Sequence, residues 1–221
     1  MISLIIPTHQ ESASINDHLR AYAPWVGDRL EIILVDSPRE ATLPLLDSTL
    51  PLKTLSAPQG RASQMNAGAR IAQGEFLLFL HADTLLPKAT PHLIQETLQR
   101  GYIAGSFSLG FDSPRLTLAI LASLANLRTR FSGIPYGDQG LFVRQEDFWS
   151  VGGFPLEGFL EDVLLVQKLR ARGKIAILKE RVLTSPRRYE ERGILRQALQ
   201  NRLIMLLFTL GFSPSLLRRL Y

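Results

Sequence analysis

Apolar and polar positions along the first hundred residues follow two rhythms. Ile2–Pro7 (ISLIIP), Leu30–Asp36 (LEIILVD) and residues 75–80 (EFLLFL) are near-continuous apolar runs of strand length. That is the pattern of strands buried on both faces of a parallel sheet. Residues 52–57 form a weaker run of the same kind. Between the runs, apolar positions recur at helical spacing: Ile15, Leu19 and Tyr22 within 12–23, and Met65, Ala69 and Ala72 within 60–73. Gly74 stops the second of these, and 89–100 repeats the amphipathic pattern. Residues 40–50 read as a short helix interrupted by Pro44. Strand–helix alternation at this spacing predicts βαβ units in a parallel, doubly wound sheet.

The second half is less regular. Residues 102–109 alternate like a half-exposed strand, and 115–131 read as a helix with Leu116, Ile120, Leu124 and Leu127 in line. A turn-rich loop at 133–140 (GIPYGDQG) precedes a short strand at Leu141–Arg144. Gly152-Gly153-Phe154-Pro155 is a second loop. Helices are expected at 159–172, opened by Glu161-Asp162, and at 191–210. No linker or internal repeat interrupts the chain, so 1–190 reads as one domain and 191–221 as its amphipathic helical C-terminal extension.

Composition narrows the chemistry. The 221 residues contain no cysteine, which excludes a disulfide scaffold, an iron–sulfur cluster and a cysteine nucleophile, and fits a reducing, cytoplasmic compartment. The net charge of +5 is unevenly spread: residues 1–167 carry −5 and residues 168–221 carry +10. A basic end of that kind expects an anionic partner or is a solvated helical face. The start of the chain lacks the pattern of a signal peptide. The longest uncharged apolar stretches, 12 residues at 116–127 and 15 at 203–217, fall short of the roughly 18–20 residues that span a bilayer.

Ligands of parallel α/β sheets bind beyond the carboxyl ends of the strands. Here those ends are Pro7-Thr8-His9-Gln10-Glu11, Asp36-Ser37, Pro58-Gln59-Gly60-Arg61 and His81-Ala82-Asp83. Asp83 reads either as a turn residue or as a ligand for Mg²⁺ or Mn²⁺. His81 reads as a hydrogen-bonding group or a second ligand. Asp36 and Glu11 either cap turns or accept hydrogen bonds from a nucleoside. Gly60-Arg61 opens a helix with free N–H groups and a cation, suited to phosphate, or is a plain helix start. Asp162 either complements a helix dipole or accepts a hydroxyl proton. Arg187-Arg188 is a solvated turn or a diphosphate clamp. Nucleotide-hydrolysis loops, dinucleotide fingerprints, nucleophile elbows and zinc-protease motifs are absent.

Seven segments in order complete the picture: SLIIPTHQE (3–11), GRASQMNAGA (60–69), LLFLHADT (77–84), PYGDQGLFVR (135–144), GGFP (152–155), LEDVLL (160–165) and SPRRYE (185–190). Together they resemble the family 2 glycosyltransferases with the GT-A fold, and within them a small bacterial subgroup associated with arsenosugar biosynthesis. The resemblance implies a mostly parallel, Rossmann-like sheet flanked by helices, a nucleotide-diphosphate sugar donor, and a divalent cation, Mn or Mg. It implies donor contacts from Pro7, Thr8, Glu11, Asp36, Gly60, Arg61, Gln64, Arg187 and Arg188, and metal contacts from Asp83 and His81. His81 stands where the family has the first acid of Asp-x-Asp, and Ser37-Pro38 replaces the usual residues after Asp36. Glu161 and Asp162 match the catalytic pair, Asp162 as the base of an inverting transfer. Tyr136, Gly137, Asp138, Gln139 and Gly153 would line the acceptor side. The acceptor is a small molecule or a lipid.

Two other classes share parts of this pattern, a nucleotidyltransferase and a non-catalytic nucleotide-sugar binding protein. A distal Glu-Asp helix start favours the glycosyltransferase over the first. Arg192, Arg196 and Arg202 alternate with Leu195, Leu199 and Leu203 near the end of the chain. That basic amphipathic segment covers the domain core, joins a homo-oligomer, or lies on an anionic membrane at its inner face. With the diphosphate as its nearer anion, the positive charge is not expected to serve nucleic acid.

Overall fold

Strands without a polar face need cover on both sides of their sheet, and the apolar runs at 2–7, 30–36 and 76–79 obtain it. The structure is a computed structural model, describing residues 1–9, 15–38, 46, 50–156 and 159–220. In chain order the elements are β1 (Ile2–Pro7), α1 (Ile15–Tyr22), β2 (Leu30–Asp36), β3 (Leu52–Ser56), α2 (Arg61–Ile71), β4 (Phe76–Phe79), β5 (Thr84–Leu85), α3 (Thr90–Gln99) and β6 (Ala104–Phe111). There follow α4 (Leu116–Ser132), β7 (Leu141–Arg144), α5 (Gln145–Ser150), α6 (Glu161–Arg170), β8 (Ile175–Thr184), α7 (Arg187–Arg192), α8 (Ile194–Thr209) and α9 (Pro214–Arg218). The helix expected at 40–50 lies almost wholly outside the described residues.

The strands form one sheet in the order β3-β2-β1-β4-β7-β6-β8-β5. The first four are parallel, as are β6 and β8. β7 runs antiparallel to both its neighbours, and β5 antiparallel to β8. Because β7 is reversed, its first residue stands beside the last residue of β4, Leu141 opposite Phe79. The loop entering β7 therefore reaches the same edge as the loops leaving β1 to β4.

Alternate residues of each strand feed the two sides of the sheet. Leu4, Ile6, Ile32, Leu34 and Leu78 pack with Leu19 and Tyr22 of α1 and Ile94 and Leu98 of α3. Ile5, Ile33, Val35, Leu77 and Phe79 pack with Met65 and Ala69 of α2, Leu165 and Leu169 of α6, and Phe148 and Phe154. Leu109 and Phe111 of β6 meet Leu118 and Ala122 of α4 in a third cluster.

Four features differ from the sequence pattern. The segment expected to be a half-exposed strand at 102–109 is β6, buried along its whole length between β7 and β8. Ser106 and Ser108 gave it the look of alternation, yet both are buried. β8 was not anticipated; Lys179-Glu180-Arg181 break its apolar pattern where its register with β6 shifts between Ser106 and Ser108. The helix expected from residue 191 starts at Ile194, because Gly193, with φ of 86°, separates α7 from α8. In α4 the aligned residues Leu116, Ile120, Leu124 and Leu127 face outward, and the buried side is Leu118, Ala122, Asn126 and Thr129.

Candidate active site

The tips of β1 and β2 are tied together by one amide. Gln64 of α2 donates through Nε2 to the carbonyls of Thr8, at 2.8 Å, and Val35, at 2.9 Å. Thr8 is itself buried and its amide donates to the Val35 carbonyl. Pro7 ends β1 half-buried, and buried Asp36 ends β2, its Oδ1 accepting from the Ser37 amide at 2.9 Å. Glu11 lies outside the described residues. Gly60 holds φ of 130° at the start of α2, a conformation an L residue adopts only under strain. It turns the chain so that Arg61 opens the helix, with Nη1 3.6 Å from Oε1 of Glu161.

Glu161 and Asp162 are the first two residues of α6. Leu160 before them has φ of 57°, the one described non-glycine residue in the left-handed region. Backbone strain of this kind concentrates at functional sites. The Asp162 carboxylate accepts from the Val163 amide at 2.8 Å through Oδ1 and from the Gly137 amide through Oδ2. A Cβ placed on Gly137 would lie 3.1 Å from Nε2 of His81 and 3.2 Å from Oδ2 of Asp162. The end of β4, the loop into β7 and the start of α6 thus meet at one glycine. Arg61, His81, Gly137, Phe154, Glu161 and Asp162 line the pocket they form.

Its electrostatics follow from burial. Nε2 of His81 is inaccessible and has no hydrogen-bond partner among the described residues. Burial, with Arg61 and Arg188 nearby, holds the imidazole well below its ordinary pKa, so it is neutral. Burial raises the Glu161 carboxyl, Asp162 beside it adds to the rise, and Arg61 opposes it.

The loop before β7 is pinned by a second amide. Buried Gln139 donates to the Phe107 carbonyl at 3.2 Å, and its Oε1 accepts from Thr129 Oγ1 at 2.9 Å and the Tyr136 amide at 3.1 Å. Arg128 of α4 lies 3.3 Å from the centroid of the Tyr136 ring and donates to Thr129 Oγ1 at 2.8 Å. Its Nε and Nη1 are buried without a hydrogen-bond partner among the described residues, and burial lowers it to about 10. Asp138 is pushed up to about 6 by burial, against the pull of Arg128 and with a further push from Asp162. Arg128 escaped the sequence analysis. Its signal was slight: with Arg130, it is one of two charges in α4.

Gly153, with φ of 68°, completes the pocket wall through its neighbour Phe154. Asn66 of α2, also missed from sequence, clamps Phe154 by its backbone: Nδ2 donates to the carbonyl at 2.8 Å, and Oδ1 accepts from the amide at 2.9 Å. A Cβ at Gly153 would stand 2.7 Å from that Oδ1. Gly153→Ala is therefore expected to destabilise the protein by about 1–3 kcal/mol, through backbone strain and the broken clamp. Urea unfolding checks this; an unchanged midpoint would show that the loop relaxes freely.

Asp83 lies outside that pocket lining. Its Oδ1 accepts from Thr84 Oγ1 at 3.3 Å and Thr184 Oγ1 at 3.4 Å, and its carbonyl accepts from the Ser185 amide at 3.1 Å. These bonds bring the end of β8, and with it Arg187 and Arg188 at the exposed start of α7, beside the end of β4. Among the described residues no three His, Asp or Glu side chains converge as a metal cage. The donor set, one carboxylate at a strand end, fits a hard cation that takes most of its ligands from phosphate and water.

Residues 3–150 match the profile of the family described as "Glycosyl transferase family 2". An uncharacterized glycosyltransferase of Haemophilus influenzae is 27% identical over 99 residues, covering 43% of this chain and 34% of that protein. Among solved structures, S. aureus TarS 1–349 in complex with UDP-GlcNAc superposes with a TM-score of 0.64 at 18% identity, covering 83% of this chain and 58% of that one. The mannosyltransferase PcManGT from Pyrobaculum calidifontis, in complex with GDP-Man and Mn²⁺, gives 0.64 at 23% identity, with 92% and 60% covered. The chain thus spans about a third of the first relative and about six-tenths of each solved chain. The structural likeness shows the GT-A fold.

Proposed function

This chain belongs to glycosyl transferase family 2, and from that premise we propose that it moves a sugar, of the hexosyl type, from a nucleotide-diphosphate donor to an acceptor hydroxyl with inversion. The observation that carries the reading is the Asp162 carboxylate, held by two backbone amides at the pocket where the ends of β4, α6 and the loop before β7 converge. The nucleoside would lie over Thr8 and Asp36, at the tips that Gln64 holds in register. The diphosphate would meet the amides at the start of α2 and the guanidinium of Arg61, joined by Arg187 and Arg188. Tyr136, Gly137, Asp138, Gln139 and Gly153 would border the acceptor, a small molecule or a lipid. The seven motifs support the arsenosugar-type subgroup.

Asp162 takes the proton of the acceptor hydroxyl as the oxygen bonds to the anomeric carbon. The bond from that carbon to the diphosphate oxygen breaks on the opposite side, and the diphosphate leaves with the electron pair. Neutral His81 adds no charge beside the base and can donate or accept one hydrogen bond at Nε2. Mn²⁺ or Mg²⁺, held by Asp83 with His81 as its neighbour, would neutralise the leaving diphosphate when bound. The solved relative bound to GDP-Man and Mn²⁺ supports that choice of ion.

The test is a thermal-shift series of nucleoside diphosphates, nucleoside triphosphates and nucleotide sugars with and without Mn²⁺, followed by a turnover assay on the donor that binds. One base is expected to raise Tm, by an amount equivalent to about 2.7 kcal/mol at a hundredfold excess over Kd. Mn²⁺ should enlarge the shift, and Asp83→Ala should lose the ion-dependent part alone. An increment kept in Asp83→Ala removes Asp83 from the ion site. Preference for triphosphates would instead indicate nucleotidyl transfer, and binding without turnover a non-catalytic protein.

A further inference from the structure

Two helices of the second half turn their leucines outward. In α4, Leu116, Ile120, Leu124, Leu127 and Phe131 are exposed, Leu116 by 74% and Phe131 by 84%. The same holds for Leu195, Leu199, Leu203 and Leu206 of α8 and for its C-cap residue Leu210, Leu195 by 86%. The two sets share one spacing, i, i+4, i+8, i+11, i+15, so each occupies an arc of roughly 80° at about 100° per residue. The inner sides are already committed: Leu118 and Ala122 pack on β6, and Gln197 and Ile204 are buried. α4 and α8 pack against each other, and α9 adds exposed Leu216. Two exposed apolar stripes on touching helices are the kind of surface that marks an interaction site.

Charge selects the occupant. α4, α8 and α9 contain no aspartate or glutamate. Arg130, Arg196 and Arg202 are exposed at the margins of the stripes. Between α4 and β8 opens a polar cavity of about 170 Å³, bordered by Ser108, Ser123, Leu127, Arg130, Lys179 and Arg181. None of its three cations forms an ion pair among the described residues. Leu127 belongs to both the stripe and the cavity wall, so a cationic hollow adjoins the apolar face. In a two-fold contact with a second copy, this patch would face itself and set arginine against arginine. An anionic bilayer satisfies both parts, with leucines at the acyl boundary and cations on phosphate. No described helix is long and apolar enough to cross a membrane, so the contact would lie along the surface.

We propose that α4, α8 and α9 form a face that seats this protein on an anionic lipid bilayer, with Arg130, Lys179 and Arg181 receiving a headgroup phosphate. The face is independent of the proposed glycosyl transfer.

The full chain is sedimented with vesicles of pure phosphatidylcholine and of phosphatidylcholine mixed with phosphatidylglycerol. Wild type is expected to pellet with the mixed vesicles only, less so at high salt. Leu199→Glu/Leu203→Glu should reduce partitioning roughly tenfold or more by spoiling the apolar stripe. Lys179→Glu/Arg181→Glu should do so by reversing the cavity charge. All four positions are exposed, so urea midpoints near that of wild type confirm intact folding. Wild type left in the supernatant, or variants that pellet as wild type does, overturns the proposal. A dimer dissolved by Leu199→Glu/Leu203→Glu, without vesicle binding, would assign the face to a second copy. Thermal protection by inorganic phosphate without vesicle binding would reduce the cavity to a free-phosphate site.

Discussion

Asp162→Asn is expected to lower kcat by about 10²–10⁴-fold, the usual worth of a positioned general base. The substitution preserves shape and one carbonyl oxygen, which can still accept from Gly137 or Val163. What it removes is the ability to take a proton. One of the two amides would face an NH₂ group instead of an oxygen, so a stability loss of about 1–3 kcal/mol accompanies it. The thermal shift caused by the nucleotide should survive, because the proposed donor contacts come from β1, β2, α2 and α7. Steady-state kinetics on a confirmed acceptor, with urea unfolding to separate the two effects, makes the measurement. Full turnover in this variant would remove Asp162 from the role of base.

Asp138→Asn should have the opposite effect on stability. Burial raises the Asp138 carboxyl from 3.8 to about 6 in the folded chain. The folded state therefore holds a proton that the unfolded state has lost between roughly pH 4 and 6. Stability falls as pH rises through that window, and the full cost is present above it. At about 1.36 kcal/mol per unit the cost reaches at most about 3 kcal/mol. Asparagine carries no charge at any pH and escapes it, although Arg128 then loses an opposing charge. The variant is expected to be more stable than wild type at pH 7.5 and to converge with it near pH 4. Urea midpoints across that range decide; parallel curves would show that the Asp138 charge is solvated.

Much of the first half of the fold was legible because its information is local. Strands without a polar face announced β1, β2 and β4, and Gly60 marked the start of α2, which ends at Ile71, before Gly74. The rest depends on distant partners, which a linear pattern does not carry. Gln64 finds its carbonyls 56 and 29 residues away, and Asn66 holds a backbone 88 residues away. Such amides look like any others until the chain is folded. β8 was lost because three charged residues fall at its irregularity, where a strand no longer keeps a period of two. In α4 the eye follows the larger leucines, but the sheet takes Leu118 and Ala122, whose smaller combined profile lets the helix approach β6. Glu161 and Asp162 stood out as a helix start, whereas Leu160, which aims them, gave no sign in its side chain.

The reversed strand β7 has a consequence for how such a protein can change. A loop that leaves a strand and a loop that enters one have different neighbours in the chain, yet here they share a rim. Most of the proposed nucleotide contacts fall within the first third of the sequence, with Arg187 and Arg188 near the end of the chain. The loop opposite the first group arrives more than fifty residues later, after β6 and α4. Selection can therefore edit the two lists of contacts separately, keeping one supplier while trying new customers. Asp162, tied to both through Gly137 and α6, is the point at which the two texts must still agree.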